Sequence, residues 1–352
     1  MKKRVYWIDI SRALGMLMII MVHSNIGNHP MWSNFLFTVN VPIFFVLSGY
    51  LSREKKWSEV FSGGNKNLLL PYFTTVILIG LVCYFGHNYV PNWISQINLK
   101  DFIVTGIYGL GTSSVIPKIN LTVYAIGAIW FLLAMYLGNF LFNLGIKLSN
   151  KSTNSTLFLA CYSLICTVLG FYIAKFIQLP WSLDAALISL SFYFAGQQIR
   201  KYDLIHQGNI YLALAGIVLW LLSMKSGAFY INVGYATNPA MAVIGAIGGS
   251  YFIMYLSYCI TDKLGWKLQA VQYYGKMSLI VLCVHLFDMN SFSIGNKVAL
   301  FLGRNHYNDI VQMIGLISYR VLLTIIAIII IPKIPIIRSL YLNRDYPFKK
   351  RA

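Results

Sequence analysis

Charge is scarce in this sequence: Asp, Glu, Lys and Arg make up 11% of its 352 residues, against roughly 25% in a soluble globular domain. Acids are the scarcest, and the few carboxylates within the apolar runs argue against a proton pump. The five cysteines (Cys83, Cys161, Cys166, Cys259 and Cys283) lie in or beside apolar runs, without CxxC or Cys/His spacing. Core packing therefore explains them better than a disulfide framework or a zinc site, and no resident metal is expected. There is no Walker loop, no run of alternating Arg as in a voltage sensor, no solenoid period and no low-complexity tract.

What the chain has instead is apolar length. Hydrophobic residues make up 58% of it and its mean hydropathy is +0.65. Apolar runs of about 17–25 residues recur from end to end, the pattern of an integral, helical membrane protein. The expectation is an all-α polytopic bundle forming a single membrane domain over 1–352. Ten spans are predicted, at 7–26, 35–52, 71–88, 121–143, 156–177, 184–199, 209–225, 239–260, 276–294 and 311–331. Lys2-Lys3-Arg4 imitates the start of a signal peptide, but Asp9 and Arg12 interrupt the apolar run behind it, and no small-x-small site comes after His23. The first helix is expected to be retained.

The net charge of +18 suits topology better than nucleic acid, because Lys and Arg cluster between the apolar runs. With the amino terminus inside, alternate loops hold 20 cations (among them Arg53, Lys55, Lys56, Lys66, Lys147, Lys151, Arg200 and Lys201) against six (Lys100, Lys118, Lys175, Lys225, Lys297, Arg304). Both termini are thus expected to be cytoplasmic, with a basic cytoplasmic loop at 53–70, an external loop at 89–120 and a cytoplasmic tail at 332–352. The external loop contains apolar pieces such as 102–108 that suit an interfacial or re-entrant segment.

Ionisable residues inside spans are functional candidates by default. Asp9, Arg12 and His23 share the first span; eleven residues carry a helix through about three turns and roughly 16 Å, so Arg12 and His23 share a face at different depths. His23 is either a general base or a histidine bonding across helices. Asp9 and Arg12, three residues apart, are either part of a site or a plain interfacial ion pair. Ser48-Gly49, before Tyr50 and Arg53, marks a close helix crossing, with the first span as its natural partner. The stretch from Gly63 through Lys66 to Leu70-Pro71-Tyr72 suits an anionic ligand, although orientation of the chain explains its cations equally well.

Trp130 reads on its own as aromatic core. Trp181 and Asp184, at the outer edge, suit a sugar by stacking and hydrogen bonding, or a helix N-cap at Asp184. His285 and Asp288 are helical neighbours and Arg320 needs a partner in the last span; a buried ion pair among the three is the simplest outcome.

Taken in order, these segments resemble the membrane-bound acyltransferase-3 family, and within it the fucose 4-O-acetylase-like branch. The resemblance is carried by Trp7-Ile8-Asp9-Ile10-Ser11-Arg12, the spacing from Arg12 to His23, Pro42-Ile43-Phe44-Phe45-Val46-Leu47-Ser48-Gly49-Tyr50, Leu69-Leu70-Pro71-Tyr72, Trp130-Phe131, Trp181-Ser182-Leu183-Asp184 and His285. It implies a plasma-membrane O-acyltransferase that moves an acyl group, acetyl in the first instance, from cytoplasmic acyl-CoA to a hydroxyl of a cell-surface glycan or its lipid-linked precursor. Acetyl-CoA is then a co-substrate and no cofactor is held permanently. By the same resemblance His23 matches the catalytic histidine and Arg12 its partner; Asp9, three residues before Arg12, is expected to orient it. Arg12, Arg53, Lys66, Ser48, Tyr50 and Tyr72 are candidates for holding the donor; Trp130, Trp181, Asp184 and His285 are candidates for the acceptor. Where relatives often carry an Arg pair, this chain has Lys66-Asn67, and the external hydrolase-like domain that some relatives append is not expected here. Membrane lipid, polysaccharide-assembly proteins or a second copy are the expected partners. A transporter or exporter whose charges line a substrate path, and a non-catalytic scaffold, are the rival readings.

Overall fold

The computed structural model describes residues 5–27, 29–85, 97–116, 121–208 and 210–342. Lys2, Lys3, Arg4, Lys118, the ends of the expected external loop at 89–96 and 117–120, and the tail from 343 onward lie outside them. Helix α1 (Tyr6–His23) has Asp9 in its first turn, where a carboxylate meets the positive end of the helix dipole. The second expected span starts earlier and is broken in two, α2 (Pro30–Val39) and α3 (Pro42–Tyr50), each with a proline in its first turn. Proline suits that position because its missing N–H has no helical partner there. Between them the Asn40 side-chain oxygen accepts the Val41 N–H at 2.8 Å.

The expected basic loop is mostly helix. Helix α4 (Trp57–Gly64), a π-turn at Asn65–Leu69 and α5 (Leu70–Phe85) run on as one 29-residue stretch. In the external segment, Asn98 caps α6 (Leu99–Tyr108) by accepting the Asp101 N–H at 2.8 Å, and Gly109 ends it at φ +73°. A hairpin of β1 (Ser114–Ile116) and β2 (Leu121–Val123) comes next, with Ser114 opposite Val123. The fourth expected span, from 121, therefore starts as strand, and helix begins only at α7 (Trp130–Ser149), after Gly127 turns the chain at φ +78°.

Helices α8 (Ser155–Ala174), α9 (Leu183–Lys201), α10 (Ile210–Ser226) and α11 (Pro239–Leu264) continue the bundle. A second small hairpin, β3 (Phe229–Tyr230) and β4 (Tyr235–Ala236), joins the last two. The expected ninth span is α13 (Ser278–Phe287) extended by a π-turn at Asp288–Phe292, and a short helix not expected from the sequence, α12 (Gln269–Lys276), precedes it at a bend of 66°. Helices α14 (Ile294–Arg304), α15 (Asp309–Ile330) and the short α16 (Pro335–Tyr341) complete the described chain. The start of the expected tail folds back: Tyr341 is buried, its hydroxyl 3.0 Å from Thr75 of α5.

The result is a helical, polytopic membrane protein with two minor hairpins. Among the described residues seven helical runs are long and apolar enough to cross a membrane, eight if the bent pair is one span. The two expected spans left over are α10, with 17 residues, and α9, whose hydropathy is lowered by Asp184, Gln197, Gln198 and Arg200. Helix α9 packs against α3, α7 and α8, so neighbouring helices cover much of its surface. Helix α8, by contrast, turns Leu164, Ile165 and Val168 outward, as lipid contact requires.

The close crossing at Ser48-Gly49 is made with α9, not with the first span. Gly49 lies on the backbone carbonyl of Tyr193, and Gly196 lies reciprocally on that of Val46, so neither position has room for a methyl group. Loops meet in two groups. Lys147 pairs with Glu54 at 3.1 Å and Lys201 donates to Thr156 at 2.6 Å, whereas Asn232 donates to Thr112 at 2.6 Å and Tyr108 to the Gln178 carbonyl at 2.8 Å. Each contact joins segments that the charge pattern assigns to one side. A contiguous apolar core runs from Trp7 to Tyr341.

Candidate active site

His23 is the last residue of α1, half-buried, at the point where the helix runs out of internal partners for its carbonyls. Arg320, in the middle of α15 and only 3% exposed, supplies them. Its guanidinium donates to the His23 carbonyl and, at 2.9 Å, to the Ser24 hydroxyl, which in turn donates to the Ile20 carbonyl at 2.7 Å. A cation at a helix C-terminus also complements the dipole. The His285 ring lies beside that of His23, centroids 5.6 Å apart and planes tilted by 47°. Asp288 accepts the Tyr319 hydroxyl at 3.0 Å. The ion pair expected among His285, Asp288 and Arg320 is therefore replaced, among the described residues, by an arginine spent on helix carbonyl and hydroxyl groups and a carboxylate spent on a phenol.

One side of His23 opens into a cavity of about 410 Å³, within the roughly 300–1,000 Å³ typical of small-molecule sites. Trp130 at the start of α7, Asn40 at the α2–α3 joint, Thr112 after α6, and Tyr230 and Asn232 of the β3–β4 hairpin help to line it. Phe37 meets Tyr230 edge-on with centroids 5.0 Å apart, and the Asn232–Thr112 bond ties the two loop segments together.

A second cavity, about 280 Å³, is lined by Ser48, Arg53, Lys55, Asn67, Tyr136 and Asn143, among others. Asn143 fixes the chain beside Arg53 by accepting the Lys55 N–H at 2.9 Å and donating to its carbonyl at 3.3 Å. Helices α3 and α7 serve both cavities. Val41, the N-cap of α3, and Trp130 face the first, Ser48 and Tyr136 the second, which separates them by six or seven residues, about 9–10 Å of helical rise.

Other candidates fall elsewhere. Asp9, 2% exposed, lies 3.6 Å from Arg12 and lines a third cavity with Lys276 and Gln272. Lys66 is exposed in the π-turn and Tyr50 packs edge-on against Trp7 at 5.2 Å; neither lines the Arg53 cavity. Tyr72 is buried and donates to the Gly106 carbonyl at 2.8 Å. Trp181 donates from its indole to the Ile107 carbonyl at 2.9 Å, in a turn where Trp181 and Ser182 both have positive φ. Asp184 is buried in the first turn of α9, with Ser182 in the N-cap position. Of the four acceptor candidates, Trp130 lines the His23 cavity, and His285 touches the His23 ring from outside it.

Asn40, Thr112, Tyr230 and Asn232 are cavity residues that sequence motifs alone do not pick out. Asn40, a polar residue two before Pro42 inside an apolar run, is a visible signal; Thr112 and Asn232 sit in loops and Tyr230 in a two-residue strand, and they carry none.

The fold is that of a polytopic helical membrane protein with a histidine placed between a cavity and a buried arginine. Residues 5–332 match the family model described as an acyltransferase domain, of the acyltransferase-3 type. The chain belongs to that family, which makes it a multi-pass membrane acyltransferase. No curated protein and no solved structure matches it.

Proposed function

We propose that this protein is an acyl-CoA-dependent O-acyltransferase of the plasma membrane, of the fucose 4-O-acetylase-like branch, that acetylates a hydroxyl of a surface glycan or its lipid-linked precursor. The observation that carries the proposal is the pair of cavities stacked along α3 and α7, one rimmed by Arg53 and Lys55, the other opening on His23. An anionic nucleotide suits a cavity whose lining carries Arg53 and Lys55 against the single carboxylate of Glu59, and cations enriched in the loops on that side favour the cytoplasm. A pantetheine arm is long and thin enough for the remaining distance, on the order of 10–16 Å.

In this reading a ring nitrogen of His23 takes the proton of the acceptor hydroxyl as its oxygen attacks the thioester carbonyl carbon. The tetrahedral intermediate collapses by breaking the C–S bond, and the CoA thiolate recovers the proton from the imidazolium. An O-acyl ester and free CoA leave on opposite sides. Arg12 and Asp9 lie at the inner end of the same helix, outside the lining of the Arg53 cavity, where Asp9 orients Arg12 for an approaching donor.

The test is transfer of label from acetyl-CoA to a glycan acceptor by the purified protein in detergent or liposomes. Transfer that disappears in His23→Ala, with donor binding retained, supports the reading. Full transfer in His23→Ala removes His23 from the chemistry, and uptake of acceptor into liposomes without any acyl-CoA favours a transporter instead.

A further inference from the structure

The His23 cavity has a chemical character that narrows its ligand. Its walls are aromatic rings (Trp130, Tyr230, Phe37) and neutral hydrogen-bonding groups (Asn40, Thr112, Asn232). Among the described residues that line it there is no Asp, Glu, Lys or Arg. Arg320, the cation bonded to the His23 carbonyl, is turned to that carbonyl and to Ser24 and is not part of the lining. A pyranose ring offers such a site what it can use: apolar C–H faces for the rings, and neutral hydroxyls for the amides and hydroxyls. A carboxylate, sulfate or phosphate would surrender its hydration there without gaining a counter-ion, which is strongly unfavourable. At about 410 Å³ the cavity holds little more than one or two sugar residues.

We infer that the unit entering the His23 cavity is an uncharged sugar residue, and that the enzyme discriminates against uronic acids and other anionic sugars at that position. This rests on the acyl-transfer reading for the identity of the cavity as the acceptor site. Asn232 and Thr112 belong to the wall that faces the sugar and, through their mutual bond, hold that wall in place.

The test uses the purified full-length chain and methyl glycosides of glucose, galactose and mannose, each beside its uronic-acid counterpart, so that members of a pair differ only in CH2OH against carboxylate. Acetyl transfer from labelled acetyl-CoA and direct binding by saturation-transfer NMR are both read. The neutral member is expected to exceed the uronate by about tenfold or more in kcat/KM or in affinity. Asn232→Lys, which puts a cation into the wall, is expected to shrink that preference about tenfold. A uronate that binds or reacts as well as its neutral partner overturns the inference. So does a preference unmoved by Asn232→Lys, or the absence of binding by every glycoside. If neutral glycosides bind, and bind less in Trp130→Ala, but no label is ever transferred, the acyl-transfer reading fails while the inference about the cavity stands.

Discussion

Arg320 donates to the backbone carbonyl of His23, so the end of α1 is held by a side chain 297 residues away in sequence. The same guanidinium bonds Ser24 at 2.9 Å. Removing it in Arg320→Met leaves the helix end and the Ser24 hydroxyl without their charged donor, a loss of about 1.5–3 kcal/mol. Thermal unfolding in detergent should report that loss. The expected fall in transfer rate is larger than the stability change suggests, because displacement of a reacting group by about 1 Å costs roughly a hundredfold. Ser24→Ala should show the same trend in weaker form, about 0.5–1.5 kcal/mol; a wild-type rate in both variants would separate Arg320 from the function of His23.

His23→Ala should lower acyl transfer by about 10²–10⁴-fold, the range of a lost general base. Its thermal profile and donor affinity should match the wild type, since the hydrogen bond from Arg320 is to the backbone and survives the substitution. Radiolabel transfer alongside donor binding by calorimetry makes the comparison.

Arg53 lines the basic cavity and Lys66 does not. Arg53→Ala should therefore raise KM for acetyl-CoA about tenfold, with kcat nearly unchanged, as expected for one charge-assisted contact. Lys66→Ala should move KM much less. Equal effects would shift the donor site toward the exposed π-turn.

Gly49 and Gly196 form a reciprocal backbone contact between α3 and α9. Adding one methyl at either position forces the helices apart, at a cost of about 1–3 kcal/mol or more. A reduced melting temperature for Gly49→Ala and Gly196→Ala, measured in the same detergent as the wild type, checks this.

Single cysteines at Lys55 and Lys175, in a background stripped of the native five, should react with a membrane-impermeant maleimide from opposite sides. Labelling of both from one side would overturn the loop assignment made from charge.

The apolar lengths and the loop charges make the bundle legible, because lipid imposes length and backbone satisfaction on every span. Where a segment is covered by protein, that constraint relaxes. Helix α9 is the example: read as a span at 184–199 and packed against α3, α7 and α8, it carries Asp184 and two glutamines and is less apolar than the other spans. The break at Asn40 is written locally, in Pro42 and the polar residue before it. The strand at 121–123 is not, since Leu-Thr-Val suits either structure until a hairpin partner is known. For the site, His23 and Trp130 stand out because polar or aromatic residues at those depths demand a reason, whereas Arg12 stands out equally and lines neither of the two stacked cavities. Arg320 stands out too, but its partner is a main-chain carbonyl, which no side-chain pattern reveals. Within the π-turn Asn67 lines the second cavity and its neighbour Lys66 does not, a difference no motif shows, and loop residues such as Asn232 reach the site through folding alone.

The wall opposite His23 is assembled from loop segments, Thr112 after α6 and the β3–β4 hairpin, joined by the Asn232–Thr112 bond, while His23 itself is anchored to α15. Loops accept insertion and exchange far more readily than packed helices. The helical anchor of His23 and the loop-built wall are thus separate parts of the chain. Transplanting these two short segments between related chains would retarget the cavity without redesigning the membrane domain.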